Sequence, residues 1–201
     1  NRWSRIQSVQ WQEFPQTGVV RRLRSRDGWA ARWVQRMEAV QIANPGGFRA
    51  PQGMQPDKLP TLTALGLPEV RLQPPAGEAA AWDTLRAFLG GGGRDYRRGM
   101  SSPLTAPDAC SRLSAHLAFG TISMRSVHQA TELAIEHTAD RALAYGLRGF
   151  SSRLRWHCHF MQKLEDQPDI EWRNVARSLD GLRPGDGGPW GAEAQARFDA
   201  W

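Results

Sequence analysis

The chain has few of the residues and patterns that would tie it to a special environment. It contains only two cysteines in 201 residues, Cys110 and Cys158, too few for a disulfide framework, which fits a reducing, cytoplasmic setting. It has no run of 18 or more apolar residues, which excludes a membrane-spanning helix, and no signal-peptide pattern at its start. It begins with Asn1 and stops at Trp201 inside a helix-like run, so we expect a fragment of a longer protein.

Lysine is scarce as well, so arginine supplies nearly all of the positive charge. Basic residues number 26 against 20 acidic ones, a formal net charge of +6. This balance favours an acidic partner such as nucleic acid, or it reflects an arginine-rich solvated surface; composition leaves both open. The nine tryptophans belong in the core, at an interface, or stacked on a flat ligand or base.

Hydrophobic periodicity predicts a mainly α-helical chain with one short strand. Alternating residues over 8–14 predict the strand, and Pro15 closes it. Residues 17–42 read as helical with Gly28 as a break, and their apolar stripe contains Val20, Leu23, Val34, Met37 and Ile42. Further helices are predicted over 78–89, 111–119, 124–137 (capped by Ser123), 140–165 and 192–201. The longest has a buried stripe of Leu143, Leu147, Phe150, Leu154, Cys158 and Met161.

Two segments read as connections. Residues 44–77 contain seven prolines without periodicity, which is typical of a linker that wraps over a surface. The run Gly90-Gly91-Gly92-Gly93 stops the helix before it. No Gly-Lys-Ser/Thr follows these glycines, so a flexible turn is favoured over a phosphate-binding P-loop.

The segment Cys110-Ser111-Arg112-Leu113-Ser114 is a polar cluster that leads directly into an apolar helical stretch. Two hydroxyls and a guanidinium at the start of a helix suit a phosphate, because the free N–H groups of the first turn point toward the anion. We therefore expect an anion-binding site around Arg112.

The segment Trp156-His157-Cys158-His159 invites a metal interpretation, which helix geometry opposes. His157 and His159 project roughly 200° apart on a helix, and no second His/Cys cluster completes a ligand set, so we predict no metal site. Phe150, Arg153 and His157 share an edge of the same helix. This edge packs against a neighbour, the commoner outcome, or it binds an aromatic or anionic ligand. No catalytic triad or pair of acid–base carboxylates is evident.

Three segments together resemble the photolyase/cryptochrome flavoprotein family. Arg94-Asp95-Tyr96 precedes Cys-Ser-Arg-Leu-Ser-Ala-His-Leu-Ala-Phe-Gly-Thr-Ile-Ser at 110–123, as a tyrosine precedes the family's Thr-Ser-Arg-Leu-Ser segment. Phe-Ser-Ser-Arg-Leu-Arg-Trp-His-Cys-His-Phe at 150–160 is similar to the family's Trp-x-x-Glu-Leu-x-Trp-Arg-Glu-Phe helix. The opening, with Gly18-Val-Val-Arg-Arg-Leu, and the linker from Asp57-Lys-Leu-Pro through Gly66-Leu-Pro look like the junction between the family's two domains.

The resemblance implies three parts. Residues 1–43 would be the end of an α/β antenna-type domain with one strand and one helix, 44–77 the interdomain linker, and 78–201 the N-terminal part of the helical FAD-binding domain. The helices that grip the isoalloxazine ring would follow Trp201, and most of the antenna domain would precede Asn1. We therefore expect that the fragment alone neither binds FAD tightly nor repairs DNA.

The resemblance also assigns site residues. The flavin's ribityl-phosphate region would contact Tyr96, Cys110, Ser111, Arg112, Leu113 and Ser114, with Cys110 in place of the usual threonine. Phe150 stands where the family has an aromatic residue beside the flavin, and His157 replaces an arginine near it. Trp156 matches the tryptophan that stacks on a flipped-out pyrimidine dimer. Arg153 replaces the glutamate that hydrogen-bonds the dimer and is free to pair with a DNA phosphate instead.

The implied function is that of a light-driven, FAD-dependent DNA photolyase, a carbon–carbon lyase that splits cyclobutane pyrimidine dimers by electron transfer from reduced flavin. The expected cofactors are FAD and an antenna pigment of unknown identity, and the expected partner is damaged DNA bound by a monomer. The alternative is a cryptochrome-like blue-light photoreceptor without repair activity. A third interpretation, unrelated to the family, is a helical nucleic-acid-binding module without a cofactor.

Overall fold

A computed structural model describes residues 2–14, 17–44, 46–47, 49–55, 57–68, 75–182 and 191–200. Within these ranges the regular secondary structure is helical and no strand occurs, so the predicted mainly α fold class is confirmed. The α-helices are α1 (Arg2–Ile6), α2 (Trp29–Glu38), α3 (Gly77–Leu89), α4 (Tyr96–Gly99), α5 (Ala106–Ala109), α6 (Ser114–Ala118), α7 (Met124–His137), α8 (Arg141–Asp166) and α9 (Ala192–Asp199). Short 3₁₀ turns cover Thr63–Leu65, Gly92–Asp95, Pro168–Glu171 and Arg177–Leu179.

The longest helix, α8, is the axis on which the other elements are assembled, with α7, α4 and the Gly92–Asp95 turn packed against it. Both long helices begin at a side-chain cap. The carboxylate of Asp140 accepts hydrogen bonds from the backbone N–H groups of Ala142 and Leu143 at 2.9 and 3.2 Å. Ser123 caps α7 as predicted, since its hydroxyl accepts from the N–H of Ser126 at 3.0 Å.

The predicted stripe of α8 forms the core except at its last position. Leu143, Leu147, Phe150, Leu154 and Cys158 are buried. Met161 is 41% exposed, whereas its neighbour Gln162 is 1% exposed. The prediction for Met161 was wrong because the stripe continues from Cys158 by four residues, and position 162 is occupied by a polar side chain that has partners.

Gln162 joins the N-terminal segment to α8. Its carbonyl oxygen accepts from the N–H of Val20 at 2.7 Å and from Nε1 of Trp29 at 3.2 Å. Its amide nitrogen donates to the carbonyl oxygen of Val20 at 3.0 Å and to the carboxylate of Asp166 at 2.6 Å. A buried amide is stable here because its donors and acceptor are matched.

Helix α2 lies against α7, and side chains of α7 satisfy its C-terminal carbonyl groups. Arg125 donates to the carbonyl oxygens of Arg36 and Val40, both at 3.0 Å. Gln129 donates to those of Met37 and Ala39 at 2.8 and 2.9 Å. The end of α2 is thereby capped from another element, which ties it to the helical body.

The N-terminal expectations need correction. Residues 9–14 contain no regular secondary structure, and Val9, Trp11 and Phe14 are at least half exposed, so the predicted strand is absent. A lone strand lacks a partner, because no other strand occurs among the described residues. The helix predicted over 17–42 is confined to α2, which starts after Gly28 at a φ of 67°. Ile42, placed in its stripe, is 93% exposed.

The bounds of the other helices agree with those predicted from the sequence, except that one helix starts later than predicted. Part of the predicted linker cannot be compared. The helix expected over 111–119 starts at Ser114, and residues 110–113 form a loop before it. Part of the predicted linker over 44–77, including residues 69–74, lies outside the described residues. The division of the chain at residues 43 and 77 stays a prediction.

Candidate functional site

A cavity of about 400 Å³ lies between α4 and the middle of α8. Its α8 wall carries a tyrosine, a glycine, a serine, an arginine and a tryptophan. The α4 side adds a tyrosine, an arginine and the methionine that follows the helix. The lining residues are Tyr96, Arg97, Met100, Tyr145, Gly149, Ser152, Arg153 and Trp156. The cavity thus collects aromatic rings and two guanidinium groups from segments that lie about fifty residues apart in the chain.

Helix periodicity explains why these α8 residues face the same side. Tyr145, Gly149, Ser152 and Trp156 follow one another at intervals of four, three and four residues, which is one face of an α-helix.

Gly146 is the position at which the Gly92–Asp95 turn approaches α8 closely. A Cβ atom at Gly146 would lie only 2.0 Å from the carbonyl oxygen of Gly93. The absence of that side chain lets the segment leading into α4 rest directly on α8.

Each guanidinium group of the cavity lies over an aromatic ring. The Cζ atom of Arg97 is 4.4 Å from the ring centroid of Tyr145, and that of Arg153 is 5.9 Å from the centroid of Trp156. These distances are within the range of cation–π attraction. Among the described residues, neither arginine has a carboxylate within ion-pair distance, and no lining residue of the cavity is acidic. The cavity therefore presents uncompensated positive charge.

Tyr96 forms the floor of the cavity and belongs to a buried aromatic cluster. Its ring meets those of Phe88 and Phe150 edge-on, with centroid distances of 5.8 and 5.6 Å. Burial raises the pKa of the Tyr96 phenol, and nearby Cys110 raises it further, while Arg153 acts in the opposite direction. The phenol stays protonated near neutral pH and can donate a hydrogen bond into the cavity.

The loop from Cys110 to Leu113 is anchored by one side chain and open elsewhere. Leu113 is 1% exposed, whereas Arg112 and Ser114 are exposed and Cys110 and Ser111 are half-buried. Arg112 has a φ of 58°, a left-handed backbone conformation that costs free energy in a residue other than glycine. Its guanidinium makes no ion pair or hydrogen bond within the part of the chain that the structure describes.

Three of the residues predicted for the site line the same cavity, and the others lie outside its lining. Tyr96, Arg153 and Trp156 line one cavity. Phe150, at 4% exposure, lies behind Tyr96 in the core. His157 is on an exposed part of α8, although partial burial of its imidazole lowers its pKa. Neither Phe150, His157 nor the 110–114 loop is among the residues that line this cavity.

Reasoning from the sequence missed Arg97, Tyr145 and Ser152. Tyr145 and Ser152 carry a detectable signal, since both share the helical face of Trp156. Arg97 has none, because its place over Tyr145 depends on how α4 docks on α8.

Two further kinds of site concern the described residues, a membrane-spanning helix and a metal-binding cluster. No described helix combines the length and the apolar character that crossing a membrane requires. No group of three or more His, Cys, Asp or Glu side chains in the described ranges is placed to hold a metal ion.

The helical fold and the cavity define a class: a helical domain with an accessible, basic, aromatic-walled cavity. No family model matches the chain. It is 34% identical over 145 residues to a deoxyribodipyrimidine photo-lyase of Streptomyces griseus, covering 70% of this chain and 29% of that protein. It is 31% identical over 144 residues to a deoxyribodipyrimidine photo-lyase of Halobacterium salinarum, covering 65% and 30% respectively.

These matches support a relationship between the chain and the photolyase family. The chain spans about three tenths of the length of the curated relatives it matches. The helical fold is consistent with the helical FAD-binding domain that the sequence resemblance implies.

Proposed function

We propose that this chain is part of a light-driven, flavin-dependent DNA photolyase that splits cyclobutane pyrimidine dimers. The observation that carries the proposal is the position of Trp156. Its indole is 46% exposed and borders the cavity that Tyr96 and Arg153 also line. A wide ring held at the mouth of a basic cavity is suited to stack on an extruded base.

The 110–114 loop fits the phosphate part of a flavin nucleotide. The side chains of Ser111 and Ser114 reach solvent, and the Arg112 guanidinium has no partner among the described residues. Leu113 fixes the loop by burial, so these groups are held rather than free. In the proposed protein, Tyr96, Cys110, Ser111, Arg112, Leu113 and Ser114 would hold FAD, whose chemistry when bound would be the electron transfer that dimer opening requires.

The chain's own residues orient the reactants and limit water. Trp156 stacks on the extruded bases and holds them beside the cavity, while Arg153 offers a donor to the strand. Phe150 and Phe88 pack on the Tyr96 ring and keep the cavity floor dry. Phe150 thus supports the site through Tyr96, and His157 stands on the exposed surface beside it.

Two substitutions in the intact protein test the two halves of this site. Arg112→Ala should lower the bound flavin, read from the visible absorption of the purified protein, because it removes the charged donor of the loop. Trp156→Ala should weaken binding of dimer-containing DNA by about ten-fold or more and spare the flavin, since one stacked base contributes roughly 1–3 kcal/mol. Trp172→Ala removes the same kind of side chain from an exposed position outside the cavity and is the matched control.

If both substitutions left flavin content and lesion binding unchanged, the site assignment would be wrong. A colourless intact protein would instead favour the helical nucleic-acid-binding module.

One observation favours the second candidate, a cryptochrome-like photoreceptor. Arg153 stands where the resemblance expects a glutamate, and its guanidinium lies over Trp156 rather than leaving an acceptor for the bases. Comparing dimer repair by the intact protein in light and in darkness separates the two functions. Light-dependent loss of dimers supports the photolyase, and a flavin-containing protein without repair supports the photoreceptor.

A further inference from the structure

We propose that Arg97 and Arg153 form a phosphate-binding subsite that holds the backbone phosphate of a nucleotide whose base enters the cavity. This inference rests on the proposed function only in taking DNA as the source of that nucleotide. Arg97 and Tyr145 have no role in the site that the sequence resemblance assigns. The ligand chemistry is a flat heterocycle with an adjacent phosphodiester.

The two guanidinium groups reach the cavity from different helices. Arg97 comes from α4, and its Cζ atom lies 4.4 Å from the ring centroid of Tyr145 on α8. Arg153 comes from α8, and its Cζ atom lies 5.9 Å from the ring centroid of Trp156 on the same helix. These contacts leave the guanidinium N–H groups available to donate to phosphate oxygens, since neither Arg97 nor Arg153 donates a side-chain hydrogen bond within the described ranges. Two such forks with no lining carboxylate between them select an anion.

The backbone fixes the course of Arg97, which distinguishes it from an ordinary surface arginine. Its side chain crosses α8 at Gly149, where a Cβ atom would lie 2.6 Å from Cγ and 2.7 Å from Nε of Arg97. Gly149 is buried under this side chain. The glycine therefore provides a groove that holds the arginine stem flat and aims its head at Tyr145.

The size and walls of the cavity suit a nucleotide. About 400 Å³ lies within the range of pockets that bind small ligands. Tyr145 and Trp156 supply aromatic surface for a base, and Ser152 adds a hydroxyl. Arg153 can only donate hydrogen bonds, and with Arg97 and no lining carboxylate the cavity favours a charged phosphate oxygen over a neutral base carbonyl as the acceptor.

The test measures binding of a fluorescently labelled single-stranded pentathymidylate to the intact protein by anisotropy. Arg97→Gln and Arg153→Gln should each weaken binding by about ten-fold, the loss expected for a charged hydrogen bond to phosphate. Each should also reduce the slope of log affinity against log salt by about 0.7, the value for one contact to a single strand. Thymidine 5′-monophosphate should compete with the label better than thymidine does, and this preference should disappear in the double variant.

Arg98→Gln is the control, since Arg98 neighbours Arg97 on α4 but lines a different cavity with Thr105 and Asp108. It removes the same charge and should leave the affinity within about two-fold of wild type, with the salt slope unchanged. If Arg98→Gln equals Arg97→Gln, or if thymidine competes as well as its phosphate, the subsite does not exist.

Flavin absorption and light-dependent repair, measured on the same preparations, report on the proposed function separately. A flavin-containing, repair-active protein with equal effects in Arg97→Gln and Arg98→Gln would overturn the subsite alone. A colourless, inactive protein that keeps the arginine-specific phosphate preference would overturn the proposed function alone.

Discussion

At the residue scale, the side chain with the most consequence for the fold is Gln162. It is 1% exposed and has hydrogen bonds to both backbone groups of Val20, to the indole of Trp29 and to Asp166. Two of these partners belong to the segment that precedes and begins α2. Val20 lies outside any helix or strand, so the Gln162 side chain supplies the hydrogen-bond partners that regular secondary structure would otherwise give its N–H and carbonyl groups.

Gln162→Leu should destabilise the chain by about 3 kcal/mol. Leucine fills similar volume but leaves the N–H of Val20 and Nε1 of Trp29 buried without an acceptor, and each orphaned donor costs about 1–3 kcal/mol. The measurement is urea unfolding followed by circular dichroism. Gln10→Leu, at an exposed position, should stay within about 0.5 kcal/mol of wild type. Equal stability of the two variants would show that the Gln162 network contributes nothing.

At the scale of elements, the contact of α8 with the turn before α4 depends on two glycines that differ in what faces them. At Gly146 a Cβ atom would meet the backbone, 2.0 Å from the carbonyl oxygen of Gly93 and 3.0 Å from that of Arg94. At Gly149 it would meet only the side chain of Arg97. A backbone neighbour cannot move aside without displacing the turn, whereas a side chain can change rotamer.

Gly146→Ala should therefore cost about 2–3 kcal/mol of stability, since overpacking at backbone contact is destabilising. Gly149→Ala should cost less, about 1–2 kcal/mol, because the Arg97 stem must leave its groove but no backbone has to move, and the gain in helix propensity offsets part of that loss. Urea midpoints of both variants check this, and the order of the two variants is the decisive result. If Gly146→Ala were as stable as wild type, the close approach of the turn to α8 would be in error.

Local rules predicted the helical elements well and the site only in part. Ser123 begins α7 as expected because a cap needs only its own first turn, and the α8 stripe from Leu143 to Cys158 follows from a period of 3.6 residues. The strand over 8–14 failed because alternation says nothing about whether a partner strand exists. Gln162 and Arg97 were missed because their environment is made by segments distant in the chain.

Tyr96, Arg153 and Trp156 are residues that the family resemblance assigns to the site and that also line the cavity. The sequence motifs alone were enough to pick them out. Tyr145 and Ser152 were within reach of periodicity, since they share the face of Trp156, but a residue on a helical face gains meaning only when the opposite wall is known. Phe150 lies behind Tyr96 at 4% exposure. Its place beside the flavin, which the resemblance implies, stays a prediction.

At the scale of the whole molecule, the N-terminal segment is joined to α7 partly through a buried histidine. His128 of α7 meets Trp33 of α2 edge-on at 5.0 Å. Its Nδ1 lies 3.7 Å from the Glu132 carboxylate, beyond hydrogen-bond range, and within the described residues both this atom and Nε1 of Trp33 are buried without a hydrogen-bond partner. Burial lowers the pKa of His128, while Glu132 and Glu38 oppose that shift.

Because the pKa of His128 is lower in the folded chain than in the unfolded one, the unfolded state takes up the proton first as the pH falls. The histidine therefore contributes stability above its unfolded pKa of about 6.5 that is lost as the pH falls toward its folded value. Urea unfolding at about pH 7.5 and 5.5 should show a decrease in unfolding free energy that is smaller in His128→Leu. Trp33→Phe keeps the histidine and should keep the decrease. An equal decrease in His128→Leu would assign the pH dependence elsewhere.

The two cysteines differ in access in a way that makes the chain easy to label. Cys158 is completely covered and its sulfur accepts a hydrogen bond from the N–H of Gly18 at 3.4 Å, whereas Cys110 is partly open beside Ser111 and Arg112. A thiol-reactive dye applied to the native chain therefore reaches a single sulfur. That dye would lie beside Arg112 on the 110–113 loop, where its emission would respond to any change in the charge of its surroundings.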